Sequence, residues 1–434
     1  MKYRSAVLIG GRLVAWVSQD ARGRYNLHYE EGWRDSEGSF PLSLSLPLTR
    51  SEHEDPQVRA YLWNLLPDND AILRAWGRQH HVPHNNPLAL LAHVGEECPG
   101  ALQIVSPERV DSLLSDEATV QEVDWLSEAQ VAERMRHLRR EPGAWREPGD
   151  TGQFSLAGAQ PKTALLFHDG QWGVPSGRTP TTHILKPPVQ EKYAGFAENE
   201  HACLGLAAAA GLPAVHSRVM HFQDQPAIVV ERFDRLRDGA NIVRLHQEDF
   251  CQALGVPPQE KYEADGGPGA PDLIRVLQER AVEPGVDVAT MVGVLALNWV
   301  IGGTDAHAKN YAHLMQPGGM IRLAPLYDII SLLPYHEDKG PWVKLAMRIG
   351  GEYRMRSIAR RHWESLAATI GAEPEAVVAI VDEIAAEVPD HLSDVCRRAA
   401  EEGAGHPVLE RLQAEVTANA RACRIRLAAT PNGG

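Results

Sequence analysis

The sequence predicts an α+β protein built as a β-rich N-terminal unit, a second β-rich unit and a mostly helical C-terminal part. Three observations carry this reading. Short alternating apolar runs, punctuated by Gly and Pro, fill the first hundred residues and return after residue 151. Longer runs at helical periodicity dominate from Gln247 onward. Between the two β-rich parts, the stretch Glu141–Gly152 carries two Pro-Gly pairs, the clearest boundary in the chain. A length of 434 residues suits two or three folding units. The expected divisions are 1–108 (β-rich), 109–150 (a linker with a helix), 151–246 (second β-rich part) and 247–434 (helical).

Each element has a local reason. Ala6–Ile9 and Leu13–Val17 flank Gly10-Gly11, a hairpin signal, and Tyr25–Tyr29 continues the alternation. A helical stretch is expected over Pro56–Trp76 and another near Pro87–Val94, with a closing strand at Leu102–Val105. Ser127 and Gln130 form a capping-box pattern ahead of an amphipathic run to Arg140. Strands then return at Thr163–Phe167, Gln171–Val174 and Thr182–Leu185. A helix over Glu198–Ala210 is stopped by Gly211 and Pro213, and a strand pair follows at Ser217–Met220 and Ala227–Arg232. Helical periodicity marks Asp287–Val300, Ser357–Ile370, Glu375–Glu387 and Pro407–Leu427.

Composition narrows the function. Hydrophobic residues make up 44% and charged residues 23%, which excludes a disordered, fibrous or membrane-embedded chain. The formal net charge of −14 makes the chain a poor unaided binder of nucleic acid. Five scattered cysteines with no CxxC pair read as buried thiols of a reducing compartment. The N-terminus has no apolar stretch of signal-peptide length, and the run Met291–Gly303 is short for a bilayer, so a cytoplasmic location without a membrane is expected. Only eight of the 43 basic residues are lysines, so a lysine within a motif draws notice.

The densest chemical motif is Gly302-Gly-Thr-Asp305-Ala-His307-Ala-Lys309-Asn310, directly after an uncharged helix. Asp305 and Asn310 stand at D-x-x-x-x-N spacing, which protein kinases use to place an acid–base group and a metal ligand. Taken alone, the loop also fits a polar turn with Asp305 as a helix cap. Downstream, Asp328 lies among apolar neighbours, where a carboxylate is costly unless paired or metal-bound. Upstream, Lys186 ends a strand-like run; Glu200 on the following helix is a candidate to orient it, with Glu198 as a competitor, and either also fits a solvated helix face. Ser155–Lys162 is rich in small residues suited to bringing backbone N–H groups near phosphate, although it is not a Walker A loop. Val230–Arg235 ends the last strand before the helical part, where a kinase presents its adenine-binding hinge. Each of these has a plain structural reading alone. In this order, passing from β-rich to helical sequence, they form the layout of a two-lobed phosphotransferase.

The chain resembles the HipA family of toxin serine/threonine kinases from bacterial toxin–antitoxin pairs. The resemblance spans nearly the whole length. It rests on Phe40–Pro47, Asn64–Pro67, Gly100–Gln103, Ser155–Lys162, His183–Lys186, Asn199-Glu200, Val230–Arg235, Gln247–Asp249, Lys261–Glu263, Asp265–Gly269, Gly303–Asn310 and Tyr327-Asp328. It implies a two-lobed, protein-kinase-like, HipA-like fold with a β-rich N-terminal accessory subdomain and a mostly helical C-terminal lobe. It further implies Asp305 as catalytic base, His307 and Lys309 as loop or phosphate supports, and Asn310 and Asp328 as magnesium ligands. ATP would lie against Ser155, Ala157, Gly158, Ala159, Gln160, Lys162, Lys186, Glu231, Phe233 and Tyr327. Ser155 matches the family's autophosphorylation serine, whose modification ejects the phosphate loop and silences the kinase. Pro161 departs from the acidic residue that many members carry there. The resemblance assigns no chemistry to Lys261–Gly269, and the Gly-rich part reads as structural.

The family also implies a HipB-like helix-turn-helix antitoxin that contributes the contacts to operator DNA, which suits the acidic charge. It implies a protein substrate among the aminoacyl-tRNA synthetases, glutamyl-tRNA synthetase in particular, whose phosphorylation stops translation and growth and leads to persistence. The alternative is a catalytically silent scaffold of the antitoxin repressor complex; the intact Lys186, Asp305, Asn310 and Asp328 argue against it. A metal-hydrolase reading of Asp305 and His307 lacks partner ligands at suitable spacing.

Overall fold

The computed structural model describes residues 3–114, 123–141, 143–145, 150, 154–158, 160–188, 194–239, 241–335 and 343–429. The chain divides into two compact units. The first takes in residues 1–187, 221–259 and 313–320; the second takes in 188–220, 260–312 and 321–434.

In the first unit, Gly10 and Gly11 have φ of +56° and +75°, the left-handed conformation of a tight hairpin turn. They join the strands Tyr3–Ile9 and Arg12–Gln19, which pair so that Ile9 faces Arg12. The sheet continues through Tyr25–Tyr29 to Glu52–Glu54 on one side and closes with Leu102–Val105 on the other. The helix Pro87–Val94 packs on it. Its start is set by Asn86, whose side chain accepts from Ala89 N at 3.1 Å, and by Pro87 in the first turn.

The single helical stretch expected over Pro56–Trp76 is two helices, Gln57–Asn64 and Asp70–Gln79. Pro67 has no N–H to donate and disfavours helical geometry at the residue before it. Asn69 then caps the second helix by accepting from Ala71 N at 3.0 Å. The break leaves the Leu65 carbonyl beyond the end of the first helix, where another segment can use it.

A second antiparallel sheet runs through Val123–Leu126, Gln171–Pro175, Thr163–His168, His183–Lys186 and Gln225–Glu231. The capping box of Ser127 and Gln130 opens the helix Glu128–Arg140 as expected. A further hairpin, Arg235–Asp238 with Asn241–Arg244, lies outside the expected strands; Gly239, with φ +61° directly after Asp238, marks its turn.

These parts of the first unit meet at Glu97, which is 6% exposed. Arg232 and Arg235 reach its Oε1 at 3.0 and 2.8 Å, and Arg244 reaches Oε2. Thr181 donates to Oε1 from its backbone N–H at 3.1 Å and its hydroxyl at 2.8 Å. Asp234 accepts two bonds from Arg232, at 3.0 and 2.8 Å, and one from Gly100 N at 2.7 Å. Burial would raise the Glu97 pKa; the guanidiniums, Arg244 foremost, override it and hold the carboxyl well below the usual range. Arg235 is pushed down to about 10 by burial and by neighbouring Arg232. The five cysteines are free and buried, and burial pushes the Cys98 thiol up to about 12.

The second unit is helical, with Phe196–Ala209, Ala270–Arg280, Pro284–Ile301, Arg360–Ile370, Pro374–Ala399 and Pro407–Ala428. Pro284–Ile301 is long and apolar enough to cross a membrane, but 67% of it is buried within the protein, so packing accounts for its composition. Its Trp299 lies 5.6 Å from Trp363, centroid to centroid, and donates to Met355 O at 2.9 Å. The helix expected to stop at Glu387 runs through Pro389 to Ala399. Proline removes one donor there, and the packed face (Val381, Ile384, Val388, Leu392, Val395) continues on both sides. The hairpin Lys344–Ile349 with Glu352–Arg354 interrupts the helices.

Replacing Glu97 by Gln leaves three buried guanidiniums short of charge compensation. The expected loss is about 3–5 kcal/mol, read as a lower urea midpoint. The folded-state pKa of Glu97 lies below its ordinary value of 4.5. Its stabilisation is therefore complete above that pH and lost as pH falls through the depressed value, so the wild-type advantage over E97Q narrows in acid.

Candidate active site

An α-helix ends with four backbone carbonyls that have no partner within the helix. In Pro284–Ile301, separate segments satisfy all four. Asn298 O accepts from Gly303 N at 2.8 Å. Trp299 O and Val300 O accept from the side-chain amide of Asn419 at 3.0 and 2.8 Å. Ile301 O accepts from the Ser331 hydroxyl. The helix stops because Gly302 turns left-handed, with φ +69°, and a Cβ there would lie 2.6 Å from Leu333 Cγ. A Cβ on Gly303 would lie 2.1 Å from Asn298 Oδ1. Only two glycines fit this exit, and they deliver the chain into Thr304–Asn310.

The loop then closes on itself. His307 N donates to Asp305 O at 2.8 Å, and Asn310 N to His307 O at 2.9 Å. The Asn310 amide Nδ2 donates to Asp305 O at 2.9 Å, which leaves its oxygen for another partner. The Asp305 side chain is exposed, while His307 and Lys309 are each 5% exposed. The Tyr262 hydroxyl donates to Asp305 Oδ1 at 2.5 Å.

The Asp328 segment is fastened to this loop. Tyr327 donates its hydroxyl to Lys309 O at 2.8 Å, joining the neighbours of Asn310 and Asp328. Asp328 is half-buried in a left-handed conformation, φ +52°, which is uncommon outside glycine and concentrated at functional sites. Beyond it, Ser331 is gripped on both sides by Asn199, which donates to Ser331 O at 2.8 Å and accepts from Ser331 N at 3.1 Å. Leu332 N donates to Gly302 O at 3.2 Å. The donor set of Asn310 and Asp328 is hard oxygen, the kind magnesium takes together with water and phosphate. Among the described residues no group of three or more His, Cys, Asp or Glu side chains could hold a metal ion. Two protein ligands suit an ion that arrives with a nucleotide.

In the first unit, Thr163 pairs with Leu185, so Lys162 and Lys186 stand side by side where their strands begin and end. Both are 5% exposed. Lys162 Nζ donates to Ala157 O at 2.6 Å. Gly158 has φ +103°, and a Cβ there would lie 2.6 Å from that Nζ. Asp68 N donates to Gly158 O at 3.3 Å. Ser155 is fully buried; its hydroxyl donates to Leu65 O at 2.7 Å and its N–H to Glu97 O at 2.8 Å. The carbonyl released by the helix break thus holds this serine. Gln160 is half-buried, and Ala159 lies outside the described residues.

Lys186 pairs with Ile228 and His183 with Glu231, which places Lys186 and Glu231 about 10 Å apart along one strand pair. Glu231 is exposed and Phe233 half-buried, whereas Arg232 and Asp234 belong to the Glu97 cluster. The two helix acids differ in burial: Glu200 is 2% exposed and Glu198 half-buried. The structure thus gathers Asp305, His307, Lys309, Asn310, Tyr327 and Asp328 within the second unit, and Ser155, Ala157, Gly158, Gln160, Lys162, Lys186, Glu231 and Phe233 within the first. Sequence reasoning passed over Asn298, Asn419 and Ser331, and it matched Tyr262 without giving it a role. Their local signals are those of ordinary helix or turn residues, and the Asn199 match stood without a stated role.

Comparison with known proteins agrees with this architecture. The HipA N-terminal domain matches residues 5–105, and the HipA-like C-terminal domain matches residues 154–392. A putative kinase of Sinorhizobium fredii, Y4mE, is 36% identical over 83% of this chain and 84% of its own. The serine/threonine-protein kinase toxin HipA of Shewanella oneidensis is 28% identical over 89% and 88%. A solved Shewanella oneidensis complex of HipA, HipB and operator DNA superposes with a TM-score of 0.81 at 25% identity, covering 96% of this chain and 97% of that one. Fold, loop and relatives together define a serine/threonine protein kinase. The chain belongs to the HipA family of kinase toxins from toxin–antitoxin systems.

Asn419 lies far along the chain from every candidate site residue, yet Asn419→Ala uncaps two carbonyls at the helix end. The expected cost is about 1–3 kcal/mol in a denaturation midpoint, with a parallel loss of kinase activity. In the first unit, Gly158→Ala forces strain at a left-handed residue and displaces Lys162 Nζ. ATP affinity, measured by calorimetry, should fall, together with a modest drop in melting temperature from the strained backbone.

Proposed function

We propose that this chain phosphorylates a protein serine or threonine with ATP, using Asp305 as the acid–base group. The observation that carries the reading is the closed Asp305–Asn310 loop, with the Asp328 segment tethered one residue away by Tyr327 on Lys309 O. An exposed carboxylate in a backbone-braced loop can accept and orient an acceptor hydroxyl, while the strand lysine and the small-residue loop suit phosphate. Asn310 and Asp328 would hold magnesium, which neutralises phosphate oxygens when bound with the nucleotide. Lys162, Lys186, Ser155, Ala157, Gly158, Ala159 and Gln160 form the phosphate end of the proposed ATP site. Glu231 and Phe233 form its adenine end, and Tyr327 and His307 with Lys309 brace the catalytic loop.

Regulation follows from Ser155. Its hydroxyl is buried against Leu65 O, where a phosphoryl group with a charge of about −1.5 to −2 cannot be housed. Phosphorylation at Ser155 therefore requires the loop to leave its seat and prevents its return, which would switch the kinase off. A HipB-like helix-turn-helix protein as partner is supported by the solved complex of the relative, and the −14 charge favours leaving most DNA contacts to that partner. The substrate class proposed is an aminoacyl-tRNA synthetase, glutamyl-tRNA synthetase first, in the cytoplasm, with arrest of translation and persistence as the outcome.

The test is transfer from labelled ATP with magnesium, read by mass spectrometry on the protein itself and on purified glutamyl-tRNA synthetase. Asp305→Asn should lower transfer about 10²–10⁴-fold, the range for a positioned acid–base group, with its melting temperature and antitoxin binding retained. Full activity in this variant would overturn the assignment. Ser155→Ala should remove self-phosphorylation and prolong activity; undiminished label on the chain would place the modification elsewhere.

A further inference from the structure

The stretch Lys261–Gly269 is bound to the proposed catalytic loop at three points. Tyr262 donates its hydroxyl to Asp305 Oδ1 at 2.5 Å. The Tyr262 ring stands edge-on to His307, with centroids 4.8 Å apart and an interplanar angle of 88°. Ala308 N donates to Lys261 O at 3.4 Å. The stretch is itself a stiff turn. Gly267 N and Asp265 N both donate to Tyr262 O at 3.0 Å, and a Cβ on Gly267 would lie 1.8 Å from Glu260 O. Its outer side is clamped where Arg348 donates to Glu263 from N at 2.6 Å and from Nε at 2.8 Å.

This geometry aims one phenol at one carboxylate oxygen. The Asp305 residue is exposed, and no hydrogen bond to its Oδ2 is found among the described residues. We infer that Tyr262 is a positioning residue of the phosphoryl transfer: it fixes the Asp305 carboxylate through Oδ1 and presents Oδ2 to the acceptor hydroxyl. A carboxylate on a free χ2 rotor spends much of its time misaligned; one held by a short, charge-assisted hydrogen bond from a rigid turn is oriented before the substrate arrives. The Gly-rich turn is thus the mount for that phenol. The inference rests on Asp305 as the acid–base group, and the experiment separates the two.

The measurement uses the full-length protein with magnesium-ATP, comparing wild type with Tyr262→Phe, Asp305→Asn and the double variant. Phenylalanine keeps the ring against His307 and removes only the donor. The expected result is a kcat for Tyr262→Phe lowered on the order of 10-fold, with KM for ATP and melting temperature unchanged. In the Asp305→Asn background, the same substitution should cost nothing further, because Tyr262 acts only through that carboxylate. Wild-type kcat in Tyr262→Phe with Asp305→Asn inactive would overturn the positioning role alone. Full activity in Asp305→Asn would remove both readings. A raised kcat would make the phenol a competitor of the acceptor hydroxyl and overturn the inference. So would a changed KM for ATP, a lowered melting temperature or an additive double variant.

Discussion

The C-terminal end of one buried helix governs the unit that holds the proposed catalytic loop. Four carbonyls of Pro284–Ile301 face away from their own helix, and burial makes leaving them unsatisfied costly. Each is met by a group from elsewhere: Gly303 from the loop, Asn419 from the last helix, and Ser331 from the segment after Asp328. Satisfying the helix and shaping the site are therefore one event. A helix end is used here as an assembly point, with backbone polarity providing the specificity that apolar packing lacks.

The unit that holds the proposed phosphate loop is organised by a different force. Glu97 collects Arg232, Arg235 and Arg244 in a setting that excludes water, and its backbone carbonyl holds Ser155 N–H. Ion clusters of this kind add little net stability but penalise wrong arrangements heavily. The proposed phosphate loop is thus seated on the one part of its unit least tolerant of misplacement. Within the hinge-like stretch, the side chains of Arg232 and Asp234 belong to that seat.

What could be read in the sequence was whatever is local. The Gly302–Asn310 loop, the strand ending in Lys186 and the intrusive Asp328 are visible because each violates the pattern of its neighbours. The Ser127 capping box and the Gly10-Gly11 turn are visible for the same reason. Asn199 and Asn419 were not legible in role, since an asparagine in a helix looks alike whether it faces water or grips a remote carbonyl. The helix that passes Glu387 is a related case: Pro389 lacks a donor, a local feature, and the apolar face that carries the helix past it is a tertiary one. Glu198 and Glu200 differ in burial alone, which no pattern of two residues discloses.

The Asn419 cap also has a consequence in time. Protein synthesis proceeds from the N-terminus, so the loop from Gly302 to Asn310 leaves the ribosome long before the helix Pro407–Ala428 does. Trp299 O and Val300 O gain their buried donor only when that helix has been made and packed. Until then the loop proposed for catalysis lacks part of the support that holds it in the folded protein.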